Sequence, residues 1–174
     1  MGLEGIVSWL VGVVQERIDN DPVSIAKRDA NNHPNDPQLK IRLIEAYIAE
    51  IHNTKNGRKI CFEYANEAGT EMVKLLKDGK LFAEPVEKLV ELYAKLTKVT
   101  EFRDSAIGKL ESISNGVCKV LDGEFYSSPS MNMERAKLSK WFAEVCEKPE
   151  IYELIPQECT DKIVPVKKPA YNPT

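Results

Sequence analysis

The chain has 174 residues and carries 24 basic and 27 acidic side chains, which gives a formal net charge of −3 at pH 7. Hydrophobic residues make up 43% of the sequence, near the average for globular proteins, so a collagen-like or wholly disordered chain is excluded. A protein that binds nucleic acid by neutralising phosphates usually carries an excess of basic residues, and this composition has no such excess. We therefore expect one globular domain and no nucleic-acid partner.

The N-terminal segment is the most hydrophobic part of the chain, with apolar residues nearly contiguous from Leu3 to Val14. A first helix is predicted over about 3–18, and Pro22 ends it because proline does not continue a helix. The segment has no basic start of a secretory signal and is shorter than the roughly 20 apolar residues that cross a bilayer. Because apolar residues lie on every side, it is a buried helix, or one docked onto a partner or a membrane surface.

Three helices are predicted in the next part of the chain. A short one covers about Val23 to Ala30. A second begins at Asp36-Pro37, where aspartate caps the helix and proline occupies the first turn, and it runs to His52. The third carries a regular apolar stripe and ends at Asp78-Gly79. Its small residues should let a neighbouring helix approach closely; they are Ala65, Ala68 and Gly69.

A long apolar pattern follows from Phe82 to Val120, with apolar residues about every 3.5 positions, the period of helical bundles. One helix of roughly 50 Å or two shorter helices fit this pattern. We favour two, because Thr97 and Thr100 are typical of a corner.

A last helix is predicted to begin at an N-cap at Asn132 and to end before Pro149. Its predicted apolar face consists of Met133, Ala136, Trp141, Val145 and Cys146. From position 156 onward, spaced prolines indicate an extended tail.

The sequence thus predicts an all-α protein, a single-domain helical bundle of about six to eight helices with an extended C-terminal tail. We divide the chain into a hydrophobic N-terminal helix (1–20), the helical bundle (21–155) and the proline-containing tail (156–174). The core is expected around Ile44, Tyr64, Met72, Leu89, Phe102, Leu110 and Trp141.

Four cysteines lie far apart, with no CxxC pair, whereas zinc sites usually take their ligands in closely spaced pairs. They are Cys61, Cys118, Cys146 and Cys159. Most lie in apolar helical stretches, where a thiol behaves as a small hydrophobic group. We predict no structural metal, no obligatory disulfide and no cofactor, and a reducing, intracellular setting.

Signature motifs for phosphate, dinucleotide, zinc-protease and serine-hydrolase sites are absent from the sequence. His52 and Cys61 lie on successive predicted helices and form one candidate pair for nucleophilic catalysis. Acidic residues such as Glu84 and Glu87 alternate with lysines at helical spacing, which indicates a solvated face rather than an acid–base site.

The function predicted from these features is a non-catalytic helical accessory or adaptor subunit that binds other proteins in a larger intracellular assembly. The predicted partner-binding residues are Ile6, Trp9, Leu10 and Val13 in the N-terminal helix and Ile163, Val166 and Tyr171 in the tail. The alternatives are a small-molecule or lipid-binding helical protein and an enzyme with an unrecognised Cys/His site. Membrane contact by the N-terminal helix is a further alternative, against which stands the lack of a basic rim.

Overall fold

The computed structural model describes residues 21–52, 57–121 and 128–145. Within these ranges the chain forms six α-helices and no strand, which confirms the all-α bundle and a helix number in the expected range. The helices are α1 (Pro22–Asn32), α2 (Pro37–Ile51), α3 (Arg58–Lys77), α4 (Ala83–Leu96), α5 (Arg103–Leu121) and α6 (Pro129–Val145). The predicted N-terminal helix (1–20) and the tail (156–174) lie outside the described residues.

The ends of the first three helices follow signals in the sequence. The Asp21 carboxylate accepts a hydrogen bond from the Ser24 N–H at 2.9 Å and caps α1. The predicted cap of α2 is confirmed, because Asp36 accepts from the Gln38 N–H at 2.8 Å. At the end of α3, Gly79 adopts a φ of 69°, the left-handed conformation that glycine reaches without steric cost.

The long apolar pattern corresponds to two helices, α4 and α5, as favoured from the sequence. Between them the chain turns through positions 97–102, where the Phe102 N–H donates to the Val99 carbonyl at 2.9 Å. The pattern continues through this corner because Phe102 is buried and stacks on Phe62 of α3, with ring centroids 4.2 Å apart. A buried aromatic residue in a corner therefore preserves a helical spacing that the backbone itself interrupts.

The predicted start of the last helix is wrong, and its predicted face is wrong at Met133 and Ala136. α6 begins at Pro129 rather than after Asn132, and the Ser128 hydroxyl accepts from the Met131 N–H at 3.2 Å. Serine followed by proline supplies the same capping chemistry one turn earlier. On the predicted face, Met133 is 55% exposed, and Ala136 is exposed as well.

The α6 residues that meet the bundle include Trp141 of the predicted face and two residues outside that face. Leu138 is buried, while Met131 and Trp141 are partly buried against the core. The Val145 side chain and Cys146 lie outside the described part of the chain. The side of α6 that meets its neighbours also carries polar side chains, Glu134 and Arg135.

Buried apolar side chains from all six helices form one continuous cluster. α2 packs against α1 and α3, α3 against α5, and α4 against both α5 and α6. Of the predicted core residues, Tyr64 and Trp141 are partly buried and the others are buried; these are Ile44, Met72, Leu89, Phe102 and Leu110. The core prediction is therefore confirmed for α2 to α5.

The predicted close approach at the small residues of α3 is also confirmed. Tyr93 of α4 is buried, and its hydroxyl donates to the Ala65 carbonyl at 2.6 Å. A Cβ atom placed on Gly69 would overlap the Tyr93 hydroxyl. Glycine at position 69 thus makes room for the tyrosine that joins α3 to α4.

In the described ranges, none of the helices combines the length and the apolar character that a bilayer crossing requires.

Candidate functional site

The residues predicted to bind a partner all lie outside the described part of the chain. They are Ile6, Trp9, Leu10, Val13, Ile163, Val166 and Tyr171. Their roles stay predictions, and the described residues contribute the groups considered next.

The candidate Cys/His pair lies at the junction of α2 and α3. His52 caps the C-terminus of α2, and its Nδ1 donates to the Ile48 carbonyl at 2.8 Å. The Cys61 thiol, half-buried on α3, donates to the Ile51 carbonyl at 3.7 Å. Both side chains thus bond to carbonyls in the last turn of α2, where the Ile48 carbonyl also accepts from the His52 N–H at 3.4 Å. This geometry serves to end a helix and does not depend on catalysis.

A polar cluster joins α1, α2 and α3. The Tyr47 hydroxyl donates to the Glu67 carboxylate, and Lys27 Nζ lies 3.1 Å from Glu67 Oε2. The Tyr47 ring is buried, and the Tyr64 ring tilts against it at a centroid distance of 5.4 Å. The sequence analysis did not identify the hydrogen bond between Tyr47 and Glu67. Nothing in the local pattern indicates that a glutamate 20 residues later meets this hydroxyl.

The charges of this cluster follow from its contacts. The hydrogen bond from Tyr47, followed by the ion pair with Lys27, lowers the pKa of Glu67 against the opposing effect of burial. Burial first, and then the Glu67 carboxylate, raises the pKa of Tyr47. At neutral pH the cluster is therefore a protonated phenol donating to an ionised carboxylate, a charge-assisted hydrogen bond between α2 and α3, and Lys27 of α1 pairs with the same carboxylate.

α6 contributes two polar contacts to the ends of other helices. Glu134 accepts from the Ala83 N–H at 2.7 Å and so caps α4, whose own N-cap residue, Phe82, offers no side-chain oxygen. The Arg135 guanidinium donates to the Val120 carbonyl at 2.7 Å, near the end of α5. Sequence reasoning missed both groups, because a glutamate and an arginine in a polar helix look like solvated residues.

A cleft of about 690 Å³ lies beside this contact, at the start of α6. Its volume is in the range of small-molecule sites. Its lining includes Gln38, Lys80, Phe82, Ser130, Met131 and Glu134. The carboxylate in the cleft already accepts from Ala83 and pairs with Lys137 at 2.7 Å, so its charge is compensated within the protein.

A second groove, of about 400 Å³, separates α2 from α4. Its apolar floor includes Ile48 and Leu92, which are 7% and 8% exposed. The rim is charged and consists of Glu45, His52, Lys88, Glu91 and Lys95. Because the floor is buried, the groove presents mainly charged groups and little apolar contact area.

The acidic residues of α4 differ from the uniformly solvated face that the sequence predicts. Glu84 forms the expected i, i+4 ion pair with Lys88, at 2.6 Å. Glu87 is partly buried, and burial, followed by the neighbouring acids, raises its pKa. The solvated-face interpretation therefore holds at Glu84 and fails at Glu87.

Cys118 was predicted to be a buried thiol, and the structure differs from this prediction. Cys118 is 8% exposed and disulfide-bonded, so the expectation of a buried thiol at this position is wrong. Whether the bond is obligatory for folding stays a prediction to be tested by reduction. The reducing setting likewise stays a prediction, although disulfides are more typical of oxidising compartments. Within the described ranges, no three histidine, cysteine or acidic side chains cluster as metal ligands.

Comparisons of the chain with protein-family models, with curated proteins and with solved structures found no match. The proposals for function therefore rest on the contacts, burial and charge of this chain.

Proposed function

We propose that this chain is a non-catalytic helical accessory or adaptor subunit that binds other proteins within a larger assembly. One observation carries the proposal: α1 to α6 already share a continuous buried core. We propose that the apolar residues of 3–14 do not belong to that core and that a partner protein covers them, because a large exposed apolar surface marks an interaction site.

The spacing of the N-terminal anchors supports a helix as the binding element. Ile6, Trp9, Leu10 and Val13 stand at positions i, i+3, i+4 and i+7. This is the pattern of an amphipathic helix that lies in a groove of its partner. Tryptophan is enriched among residues that dominate binding energy, so Trp9 is the expected principal anchor.

The tail supplies a second contact in the same proposal. Ile163, Val166 and Tyr171 alternate with spaced prolines. Proline restricts the backbone of the unbound tail, so less conformational entropy is lost when the tail is ordered on a partner. We propose that the tail binds as an extended strap.

Two alternatives make different predictions. A small-molecule-binding protein is favoured by the volume of the cleft at the start of α6. An enzyme with a Cys/His site requires activity that depends on His52 and Cys61, whose polar atoms contact carbonyls at the end of α2.

The test measures the native mass of the complex that the full chain forms. It compares this mass with that of the complex formed by the double variant Trp9→Ala/Leu10→Ala. We expect a complex heavier than the 19.6 kDa chain, and an apparent Kd raised about 30-fold or more in the variant. The matched control is Met133→Ala, which removes an exposed apolar side chain from the bundle and should leave the complex intact.

Two outcomes would contradict the proposal. The first is a complex that persists unchanged in the double variant. The second is a purely monomeric full chain with a measurable turnover that Cys61→Ser or His52→Ala abolishes, which would establish the enzyme alternative.

A further inference from the structure

α3 and α5 pack side by side and run in the same direction. The Lys109 Nζ donates to the Thr70 Oγ1 at 2.7 Å. Further along both helices, a Cβ atom on Gly116 would lie 3.0 Å from the Leu76 Cβ. Because the residue numbers rise together on the two helices, their C-terminal ends lie at the same end of the bundle. A groove of about 390 Å³ follows this contact.

The groove between α3 and α5 is lined by positively charged and uncharged residues. Its lining includes Val73, Leu76, Lys77, Ser112, Asn115 and Lys119. None of the described residues that line it carries a carboxylate, whereas the cleft at the start of α6 and the groove between α2 and α4 both contain glutamate. Among the described residues, no carboxylate lies within ion-pair distance of Lys77 or Lys119. The groove therefore offers positive charge that its own walls do not compensate.

Lys109 extends this positive charge by a further turn of α5. It is partly buried, and burial lowers its pKa. Its ammonium bonds to the Thr70 hydroxyl, and the described part of the chain places no carboxylate within ion-pair distance of it. Lysines in the last turn of a helix complement the helix dipole, which accounts for Lys77 and Lys119 but not for a lysine in the second turn of α5. A cation partly removed from water gains from a nearby anion, so the basic strip formed by Lys77, Lys109 and Lys119 favours a negatively charged occupant.

The length of the basic strip and the floor of the groove indicate the kind of occupant. Lys109 and Lys119 are ten residues apart on α5, about 15 Å along the axis, so an occupant with several acidic groups matches the strip better than a single anion. Between these lysines the floor contains Leu76 and the partly buried Val73. An open groove between two helices with a partly apolar floor fits an amphipathic helix. We propose that this groove binds an acidic amphipathic helix of a partner protein, whose carboxylates pair with the basic strip and whose apolar side chains cover Val73.

This inference goes beyond the proposed function, because the contact uses α3 and α5 and neither the N-terminal segment nor the tail. The test uses a fluorescently labelled synthetic peptide of about 14 residues, four helical turns, with glutamates and leucines on opposite faces. Because the inference specifies a chemistry and not a particular sequence, this generic peptide should bind the full chain saturably in fluorescence anisotropy.

Charge reversal in the groove is the decisive variant. Lys77→Glu/Lys119→Glu should raise the apparent Kd of the peptide about tenfold or more. The matched control is Lys98→Glu/Lys140→Glu, which changes the net charge equally at exposed lysines outside the groove. Because salt screens distant surface charges, the control should keep the Kd within about twofold. If the reversed variant fails to fold, Lys77→Gln/Lys119→Gln removes the same charges and gives the same comparison.

Two further peptides separate the kinds of occupant. Replacing every glutamate by glutamine removes the charges, and replacing every leucine by serine removes the apolar face. Each change should weaken binding about tenfold or more. Carbodiimide coupling of the bound acidic peptide, followed by peptide mapping, should join its glutamates to lysines of the basic strip.

Four results would overturn the inference. They are no saturable binding of the acidic peptide up to about 1 mM, equal affinity of the charge-reversed and control variants, coupling only at lysines outside the basic strip, and equal binding of either modified peptide. Equal binding of the leucine-free peptide would make the groove a general polyanion site. Trp9→Ala/Leu10→Ala should bind the acidic peptide as the unchanged chain does, so a failure of this inference is distinguishable from a failure of the proposed function.

Discussion

α3 and α6 are of similar length, but they are held in the bundle in different ways. α3 buries Met72, Leu75 and Leu76 almost completely, so the hydrophobic effect fixes its position. α6 fully buries Leu138 and uses Glu134 and Arg135 to bond the ends of α4 and α5. A helix fixed by an apolar stripe is visible in the sequence. A helix that contributes caps to its neighbours has the sequence pattern of a solvated helix.

The largest effect is expected in the apolar region. Leu110 of α5 is 1% exposed, so Leu110→Ala should lower the free energy of unfolding by about 2–5 kcal/mol. Urea denaturation followed by circular dichroism measures the change. Met133→Ala on α6 is the matched control and should change stability by less than about 0.5 kcal/mol. A small effect at Leu110 would mean that the core of α5 is misassigned.

Two glycines inside helices sharpen the same comparison. A Cβ at position 69 overlaps the Tyr93 hydroxyl, so Gly69→Ala should destabilise the protein by about 1–3 kcal/mol through overpacking. At Gly108 nothing lies within 4 Å of the added Cβ, and Gly108→Ala should stabilise α5 by up to about 1 kcal/mol. Thermal unfolding of both variants shows whether each substitution raises or lowers the Tm. The account fails here if both substitutions shift the Tm in the same direction by similar amounts.

Alkaline titration tests the polar contact within the apolar region. Because burial and Glu67 raise the pKa of Tyr47, the native protein keeps a proton that the unfolded chain releases above about pH 10. The free energy of unfolding should therefore be unaffected by Tyr47 ionisation below that pH and fall above it. In Tyr47→Phe, the free energy of unfolding should fall less steeply with pH above that value. The difference in slope is about 1.4 kcal/mol per pH unit, the contribution of one proton. An unchanged slope would show that Tyr47 does not stay protonated in the native state.

The attachment of α6 is expected to give a smaller effect. Glu134→Ala removes the cap of α4 and should cost about 0.5–2 kcal/mol, the range for loss of a helix cap. Lys137→Ala breaks only the exposed ion pair with the same carboxylate and should cost less than about 1 kcal/mol. Denaturant titration of the two variants separates the contributions. Equal losses would place the role of Glu134 in the ion pair rather than in the cap.

Helix ends were predictable from the sequence where the residues at the end determine the end themselves. Asp36-Pro37 and Asp78-Gly79 mark helix ends through their own backbone preferences, and both marked the expected boundaries. The corner at Phe102 is hard to detect in the sequence. The apolar residues keep their helical spacing through Phe102, whose ring is stacked on Phe62, while the backbone turns.

Contacts between distant side chains were not predictable in the same way. The hydrogen bond between Tyr47 and Glu67 and the cap that Glu134 gives to Ala83 depend on tertiary packing, which periodicity does not encode. The disulfide at Cys118 was missed for the same reason, since cysteine spacing does not determine which sulfurs meet.

The N-terminal segment is the third region in this comparison, and the proposed function depends on it. The central claim is that residues 1–14 add apolar surface to a bundle whose stability does not need them. The most direct measurement is the free energy of unfolding of a chain that lacks residues 1–14, compared with the full chain in urea. We predict cooperative unfolding with a free energy within about 0.5 kcal/mol of the full chain. A loss of several kcal/mol, or of the cooperative transition, would place this segment in the core of the protein and contradict the claim.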